Sequence, residues 1–169
     1  MNNYDVSVPV FLKGFKNLTK WLDKAQEFAA SNPDVPNLVE ASLAPDMFNL
    51  AGQIQVASDM AKSCAARLSG AGAPRFEDDE VTFSDLRLRI TKTVEFLNSL
   101  TAEQFEANAN AEITVVLKQG VLRFSTLEFL TQFALPNFYF HLTTAYDILR
   151  HKGVPLGKMD YLGVLDTQD

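Results

Sequence analysis

Cysteine and histidine are scarce in this sequence, which contains one cysteine, Cys64, and two histidines, His141 and His151. One cysteine cannot form an internal disulfide or a cysteine-cluster zinc site, so we expect a cytoplasmic protein in a reducing compartment. The two histidines lie about 15 Å apart along the axis of a predicted helix. They cannot bind one metal ion through Zn–N bonds of about 2 Å unless two chains share a site. We therefore expect no metal ion and no other cofactor.

Long hydrophobic runs and a basic leader are also missing. No apolar stretch approaches the length of roughly 20 residues that spans a bilayer, and the N-terminus lacks the pattern of a signal peptide. We therefore expect no membrane partner. The formal net charge is −6, which disfavours binding to a phosphate backbone, so nucleic acid is not an expected partner either. The 169 residues, 47% of them hydrophobic, suit a single domain over 1–169.

Apolar residues recur at steps of three and four in residues 5–30 and again after Pro45-Asp46, which is typical of amphipathic helices. Asn32-Pro33 ends the first helix. Proline followed by an acid suits the first turn of the second helix, which we expect to end at Gly70. The acidic run 77–80 is predicted to be a solvated loop. The predicted inward positions are Val8, Phe11, Phe15, Leu18, Leu22 and Ala25, then Met47, Leu50, Ile54, Ala57, Ala61, Cys64 and Leu68.

Two further elements follow in the middle of the chain. A capping box at Thr82 begins a third helix that ends near Ser99, and one short helical turn can follow it. Residues 112–117 and 121–124 are rich in β-branched side chains and are separated by a turn that ends at Gly120. This pattern predicts a small β-hairpin with glycine at a position that favours positive φ.

A fourth helix is predicted between Ser125, which forms a capping box with Glu128, and Gly153. Pro136 removes one backbone hydrogen bond from this helix, so we expect it to kink or restart there. Its apolar positions include Leu127, Leu130, Phe133, Phe140, Ile148 and Leu149.

His141 is the best candidate for a functional residue. Asn137 lies one turn before it, Thr144 continues the same helix face, and Gln53 on the second helix can bond either a ligand or His141. One interpretation is a polar cluster in a mostly apolar cavity that binds or protonates a small ligand. The other is a buried histidine whose hydrogen bonding is satisfied by an amide such as Gln53. Aromatic bulk on the same helix is expected to surround it, from Phe133 and Phe140.

Two segments resemble an uncharacterised bacterial domain-of-unknown-function family allied to the DinB/YfiT-like superfamily. They are LAPDMFNLAGQIQVASDMAK, residues 43–62, and LPNFYFHLTTAYDILRHKGVPLGKMDYLG, residues 135–163. The intervening TFSDLRLRITKTVEFLNSL fits the same family. The resemblance implies an all-α, DinB-like four-helix bundle that is left-handed and up-down-down-up, with parallel middle helices. The predicted hairpin lies between helices 3 and 4. Members of the superfamily commonly form dimers, so a homodimer is implied.

The better-known members of this superfamily are metal-dependent, thiol-linked transferases and isomerases. They carry one histidine on helix 2 and a His-x-x-x-His pair on the last helix. Here helix 2 has Gln53 or Gln55 in that region, and on the last helix only His141 matches. Of its neighbours one turn away, Asn137 is a poor ligand for zinc or nickel and Ala145 is none. The resemblance thus implies the bundle and its cavity, without the three-histidine metal site.

Three functions remain open from the sequence. The first is a small-molecule-binding bundle whose cavity is lined by His141, Asn137, Gln53 and Thr144. The second is a transferase or isomerase that uses His141 as general acid or base, which a nearby carboxylate such as Glu128 or Asp147 would favour. The third is a structural homodimer without a ligand, held together by the aromatic-rich last helix.

Overall fold

The computed structural model describes residues 2–164 and is mostly helical, with one small antiparallel hairpin, as the sequence predicts. None of the helices in this part of the chain combines the length and the hydropathy needed to cross a bilayer. In chain order the elements are α1 (Val8–Ser31), α2 (Leu50–Ser69), α3 (Phe83–Asn98), α4 (Ala102–Ala107), β1 (Ile113–Leu117), β2 (Gly120–Phe124), α5 (Thr126–Glu128), a π-helical segment (Phe129–Ala134), α6 (Leu135–His151) and α7 (Lys158–Leu162).

The long helices α1, α2, α3 and α6 surround a common apolar core. Helix α2 packs against α3 and α6, and α1 packs against the same two helices from the other side. All of the predicted inward positions on α1 and α2 are buried, except Met47, which precedes α2 and is half-buried. Small side chains let α2 approach α6 closely. On the opposite side, a Cβ at Gly14 of α1 would lie 2.7 Å from Cζ of Phe138, so glycine is required for this contact.

Helix α2 begins later than the sequence pattern indicates. The predicted start at Pro45-Asp46 is wrong, because residues 44–47 form a turn in which the Met47 N–H donates to the Ala44 carbonyl at 3.1 Å. The helix starts at Leu50, where the side chain of Asn49 accepts a hydrogen bond from the Gly52 N–H at 2.9 Å. An asparagine cap satisfies a free N–H at a helix start, and here it determines where α2 begins.

The capping boxes predicted for the third and fourth helices are both present. The Thr82 hydroxyl accepts from the Asp85 N–H at 3.2 Å, and the Asp85 carboxylate accepts from the Thr82 N–H at 2.8 Å. The same reciprocal pair joins Ser125 and Glu128 at the start of α5. Each box satisfies two backbone N–H groups that the helix itself leaves free.

The last long helix changes its hydrogen-bonding pattern just before Pro136. Through Phe129–Ala134 the helix is π-helical, and at its end the Leu135 N–H donates to the Leu130 carbonyl, five residues back. Regular α-helix then restarts at Leu135 and places Pro136 in its first turn, where a missing N–H costs little. The predicted restart is therefore confirmed, whereas the π-helical segment itself was not predicted.

The π-helical segment alters which side chains of the last helix face the core. Wider turns keep Leu130, Ala134 and Phe138 in one buried line. Of the predicted apolar positions, Ile148 and Leu149 are also buried and Phe133 is half-buried, but Leu127 and Phe140 are exposed. Phe140 lies beyond the π-helical segment, which changes its position around the helix from the one that a constant period of 3.6 residues per turn gives.

The hairpin is attached to the core by one strand. Ile113 of β1 pairs with Phe124 of β2, and Leu117 pairs with Gly120 at the turn. Gly120 has φ +148°, a value that side chains other than glycine rarely adopt. Ile113 and Val115 are buried against the core, whereas β2 is mostly exposed.

A buried arginine ties α2, α3 and the acidic run 77–80 together. Arg89 of α3 is 2% exposed. Its guanidinium bonds the carboxylate of Asp59 on α2 at 2.8 Å and those of Glu80 and Asp78 at 2.9 Å. Residues 77–79 lie exposed in a loop, as predicted, but the Glu80 side chain is only 7% exposed because it pairs with Arg89. The positive charge of Arg89 neutralises carboxylates that would otherwise be costly to bring together and bury.

We expect Arg89→Met to lower the free energy of unfolding by about 3 kcal/mol, because it leaves the buried carboxylate of Glu80 without its cation. The matched control is Arg87→Met on the same helix. Its ion pair with Asp23 is partly exposed, so its loss should cost less than about 1 kcal/mol. Urea denaturation measures both variants, and equal losses would contradict the role assigned to Arg89.

The same network predicts a pH dependence. Burial raises the pKa of Glu80, but hydrogen bonds from Arg89 and Gln55 outweigh this effect, and the pKa lies below its usual value of 4.5. A carboxylate with a lowered folded-state pKa contributes stability above the unfolded pKa, and loses it as the pH falls through the folded-state value. This loss of stability in acid should be smaller in Arg89→Met.

Candidate functional site

The structure brings together one residue from α2 and one from α6. Gln53 lies in the first turns of α2 and is fully buried, and His141 in α6 is 9% exposed. Nδ1 of His141 and Oε1 of Gln53 are 2.7 Å apart, which is a short hydrogen bond. The contact predicted as the structural interpretation of His141 is therefore present. It forms because α2 and α6 pack closely along their length.

A second hydrogen bond fixes the orientation of the Gln53 amide. Its Nε2 donates to the backbone carbonyl of Phe48 at 3.0 Å, so its Oε1 faces His141. An amide oxygen can only accept, and Nδ1 of His141 must therefore carry the hydrogen. Burial lowers the pKa of His141 below its usual 6.5, which keeps the imidazole neutral at pH 7. In that form Nε2 has a lone pair and acts as an acceptor.

The acceptor nitrogen of His141 is available. Within residues 2–164, Nε2 makes no hydrogen bond to protein. Solvent can reach this nitrogen, since it is not one of the unpartnered atoms that are fully buried. A buried ring that presents one unpartnered nitrogen toward the surface can receive a ligand group or move a proton. The unpartnered Nε2 is the atom of this site that can bind a ligand or transfer a proton.

Each residue of the Gln53–His141 pair has an exposed phenylalanine next to it. The Phe140 ring meets the imidazole edge to face with centroids 5.1 Å apart, and it is 57% exposed. Phe48 is 60% exposed, and its side chain lies over Gly52, where a Cβ would come within 3.0 Å of it. Exposed phenylalanines beside a half-open polar group are typical of a ligand-binding surface.

The other predicted site residues are placed less directly. Thr144 is buried, but its hydroxyl donates to the Phe140 carbonyl at 2.7 Å within the same helix. Asn137 is half-buried and makes no hydrogen bond to His141 or Gln53 in the described part of the chain. Phe133, which was expected beside the histidine, packs instead on two other aromatic rings, those of Phe124 and Phe129.

No carboxylate hydrogen-bonds to His141 in the region from 2 to 164. Glu128 caps α5 and is exposed, and Asp147 is also exposed, on the outer side of α6. Among residues 2–164, the only side chain bonded to the imidazole is the neutral amide of Gln53. Such a partner orients the ring but does not stabilise its protonated form.

The donors around His141 do not fit a zinc or nickel ion. Residue 145, one turn later, is a buried alanine, and the α2 partner, Gln53, is a neutral amide. Across residues 2–164, no group of three or more histidine, cysteine, aspartate or glutamate side chains is arranged to hold a metal ion. These metals require several imidazole, thiolate or carboxylate ligands at about 2.0–2.3 Å.

Comparisons with known proteins identify the family. A family model described as "Domain of unknown function (DUF1993)" matches residues 3–162. This chain belongs to the DUF1993 family. Among solved structures it is similar to the crystal structure of a DinB family member protein from Shewanella denitrificans. The two are 41% identical with a TM-score of 0.91, over 98% of this chain and 94% of the other. A comparison with curated proteins finds no match. The resemblance to a domain-of-unknown-function family allied to DinB-like proteins is therefore confirmed.

Sequence reasoning missed two features of this DUF1993 site. Phe48 was not identified, although Gly52, four residues later, signals that a neighbouring side chain lies close to the start of α2. Phe140 was expected to be packed rather than exposed, because the π-helical segment was not recognised. Both rings now belong to the candidate site.

We expect His141 to titrate below pH 6.5, because burial disfavours its charged form. The unfolded chain therefore takes up the proton first. The contribution of His141 to stability is complete above pH 6.5 and is lost as the pH falls through the folded-state pKa. Imidazole NMR signals measured against pH give the value, and His151→Gln removes the only other imidazole for assignment. A pKa above 6.5 would contradict the neutral, buried imidazole.

Proposed function

We propose that this DUF1993 protein is a small-molecule-binding bundle whose site centres on His141 and lacks the three-histidine metal centre. The observation that carries the proposal is the buried, neutral imidazole whose Nδ1 is held by Gln53 while Nε2 has no partner among the described residues. Phe48 and Phe140 supply exposed apolar surface beside it. Asn137 and Thr144, on the same helix face, are proposed to complete the lining.

We also propose a single domain over 1–169 with the left-handed, up-down-down-up arrangement. Contacts between the helices support this order. Along two parallel helices the residue numbers of contacting pairs rise together, whereas along two antiparallel helices the numbers rise on one helix and fall on the other. An experimental structure in which α3 ran antiparallel to α2 would contradict it. The supporting pairs are Gln55–Arg89 and Ser58–Thr93 for α2 and α3, and Phe11–Phe138 and Trp21–Tyr146 for α1 and α6. For the reverse order, Gln53 bonds His141 of α6, while Ser63, later in α2, lines one cavity with Phe129 of the earlier π-helical segment.

A cytoplasmic location is part of the same proposal. Cys64 is buried in α2, and burial raises the pKa of its thiol, which makes it unreactive. As the single cysteine, it has no partner within the chain for a disulfide. The net charge of −6 supports the expectation that nucleic acid is not the partner.

A transferase or isomerase that uses His141 as general acid or base is the alternative function. The free Nε2 and the lowered pKa of His141 suit a base. However, a base that accepts a proton needs its cation stabilised, usually by a carboxylate on the other nitrogen. Here that nitrogen faces the neutral Gln53 amide, so binding is favoured over proton transfer.

We expect His141→Ala to abolish the stabilisation that small molecules give to this protein, because it removes the acceptor at the centre of the site. A ligand at a hundred times its Kd stabilises a protein by about 2.7 kcal/mol, so a thermal-shift screen over a broad panel detects it. His141→Gln is a second variant, and its side chain fills more of the volume of the imidazole than alanine does. His151→Ala, which changes an exposed histidine, should respond like the wild type. A panel that shifts neither wild type nor variants would count against the binding function.

A homodimer is proposed as well, and the hairpin is its best-supported face. Val116 and Val121 form a cross-strand pair of exposed apolar side chains on one face of the hairpin, and Leu127 is exposed on the helix that follows it. The sheet has two strands, so β2 also presents an unpaired backbone edge to a second copy. On the last helix Phe138 is buried within one chain, whereas Tyr139 and Phe140 are exposed and offer a second apolar surface.

We expect Val121→Lys to convert a dimer into a monomer, because it places a charge in the centre of the proposed apolar face. Light scattering after gel filtration gives the mass, which for one chain is 18.8 kDa. The control is Val81→Lys, another exposed valine, far along the chain from the hairpin. A wild type with the mass of a monomer at high concentration, or a dimer that both variants retain, would contradict this interface.

A further inference from the structure

We propose that the His141 site selects a neutral ligand that donates a hydrogen bond from a hydroxyl or N–H group carried on an aromatic or other flat apolar body. This inference rests on the proposed binding function and specifies the chemistry of its ligand. It follows from the direction of the hydrogen bonds in the site and from the exposed rings beside them.

The direction of the hydrogen bonds is set by the protein backbone. The Phe48 carbonyl can only accept, so the group facing it on Gln53 must be the NH₂, at 3.0 Å. The Gln53 oxygen then faces Nδ1 of His141 at 2.7 Å and needs a donor. Reversing the amide would place two acceptors against each other at Phe48. The backbone thus determines, through one side chain, that Nε2 of His141 is the acceptor.

The side chains around His141 and Gln53 leave Nε2 of His141 as an acceptor. In the described chain, His141 and Gln53 have no hydrogen bond to a carboxylate, a lysine or an arginine. No charged partner therefore holds the imidazole in its protonated form. An anionic ligand would meet the lone pair of Nε2 and be repelled, whereas a hydroxyl or N–H would find an acceptor on an imidazole that is nine-tenths buried.

The rings on either side indicate what the donor is attached to. Phe48 and Phe140 are both more than half exposed. The Phe140 ring meets the imidazole of His141, and the backbone carbonyl of Phe48 accepts the hydrogen bond from Gln53. An aromatic or flat apolar ligand body can stack on these rings and cover them from water. A purely polar ligand, such as a free sugar, would leave them exposed.

The test uses the full chain labelled with ¹⁵N and three probes of similar shape: phenol, anisole and benzoate. Phenol can donate a hydrogen bond, anisole cannot, and benzoate is an anion. We expect the free protein to show the proton on Nδ1 of His141. Phenol should shift the Nε2 signal and bind at least about fivefold more tightly than anisole, since one hydrogen bond contributes about 1 kcal/mol. Benzoate should bind most weakly.

A single substitution should reverse this preference. In Gln53→Glu a carboxylate accepts from Nδ1 and stabilises the imidazolium, so Nε2 becomes a donor. The other carboxylate oxygen then faces the Phe48 carbonyl without a hydrogen bond, so the variant should also be less stable than the wild type. Benzoate should then bind more tightly than phenol. The matched control is Gln104→Glu, which makes the same chemical change in the capping box of α4, where either residue accepts from the Thr101 N–H. It should keep the wild-type order of the probes.

The outcomes separate the two proposals. Anisole binding as tightly as phenol, benzoate binding best to the wild type, or a proton on Nε2 in the free protein would overturn the inferred ligand chemistry and leave a binding site at His141. If the proton is on Nδ1 but none of the three probes changes the His141 signals at millimolar concentration, the inferred ligand class and the proposed binding function both fail.

Discussion

The hydrogen bond between Gln53 and His141 is the interaction on which both the packing and the chemistry of this bundle depend. It joins α2 to α6 inside a largely apolar contact, where an unpaired amide or imidazole would cost roughly 1–3 kcal/mol. A shift of either helix by one residue would break it. The same bond fixes which nitrogen of the imidazole carries the hydrogen, so the register of two helices determines the polarity of the candidate site.

Helix α2 is held by buried polar contacts on both of its sides. Toward α6 it uses Gln53, and toward α3 it uses Ser58, whose hydroxyl lies 2.7 Å from that of Thr93, together with Asp59 and its ion pair to Arg89. Apolar packing between helices tolerates small slips, whereas buried polar groups must meet their partners. We infer that these contacts specify the position of α2 and that the small alanines along it allow the close approach.

Features that depend on local chemistry were predictable from the sequence. The capping boxes at Thr82 and Ser125, the hairpin before Ser125 and the buried faces of α1 and α2 all follow from neighbouring residues. Features that depend on distant partners were not. The π-helical segment changes the helical period, and the burial of Glu80 requires Arg89, nine residues later in the chain and on another element. No local pattern encodes either of these long-range effects.

The candidate site shows why the two interpretations of His141 could not be separated from the sequence. They were framed as alternatives: a histidine satisfied by a helix-2 amide, or a histidine available to a ligand. An imidazole has two nitrogens, and the fold assigns one to each role. Nδ1 is satisfied by Gln53, while Nε2 has no partner among residues 2–164. The structural contact is what gives the free nitrogen a defined chemistry, because an imidazole that could rotate or exchange its proton would accept and donate alike.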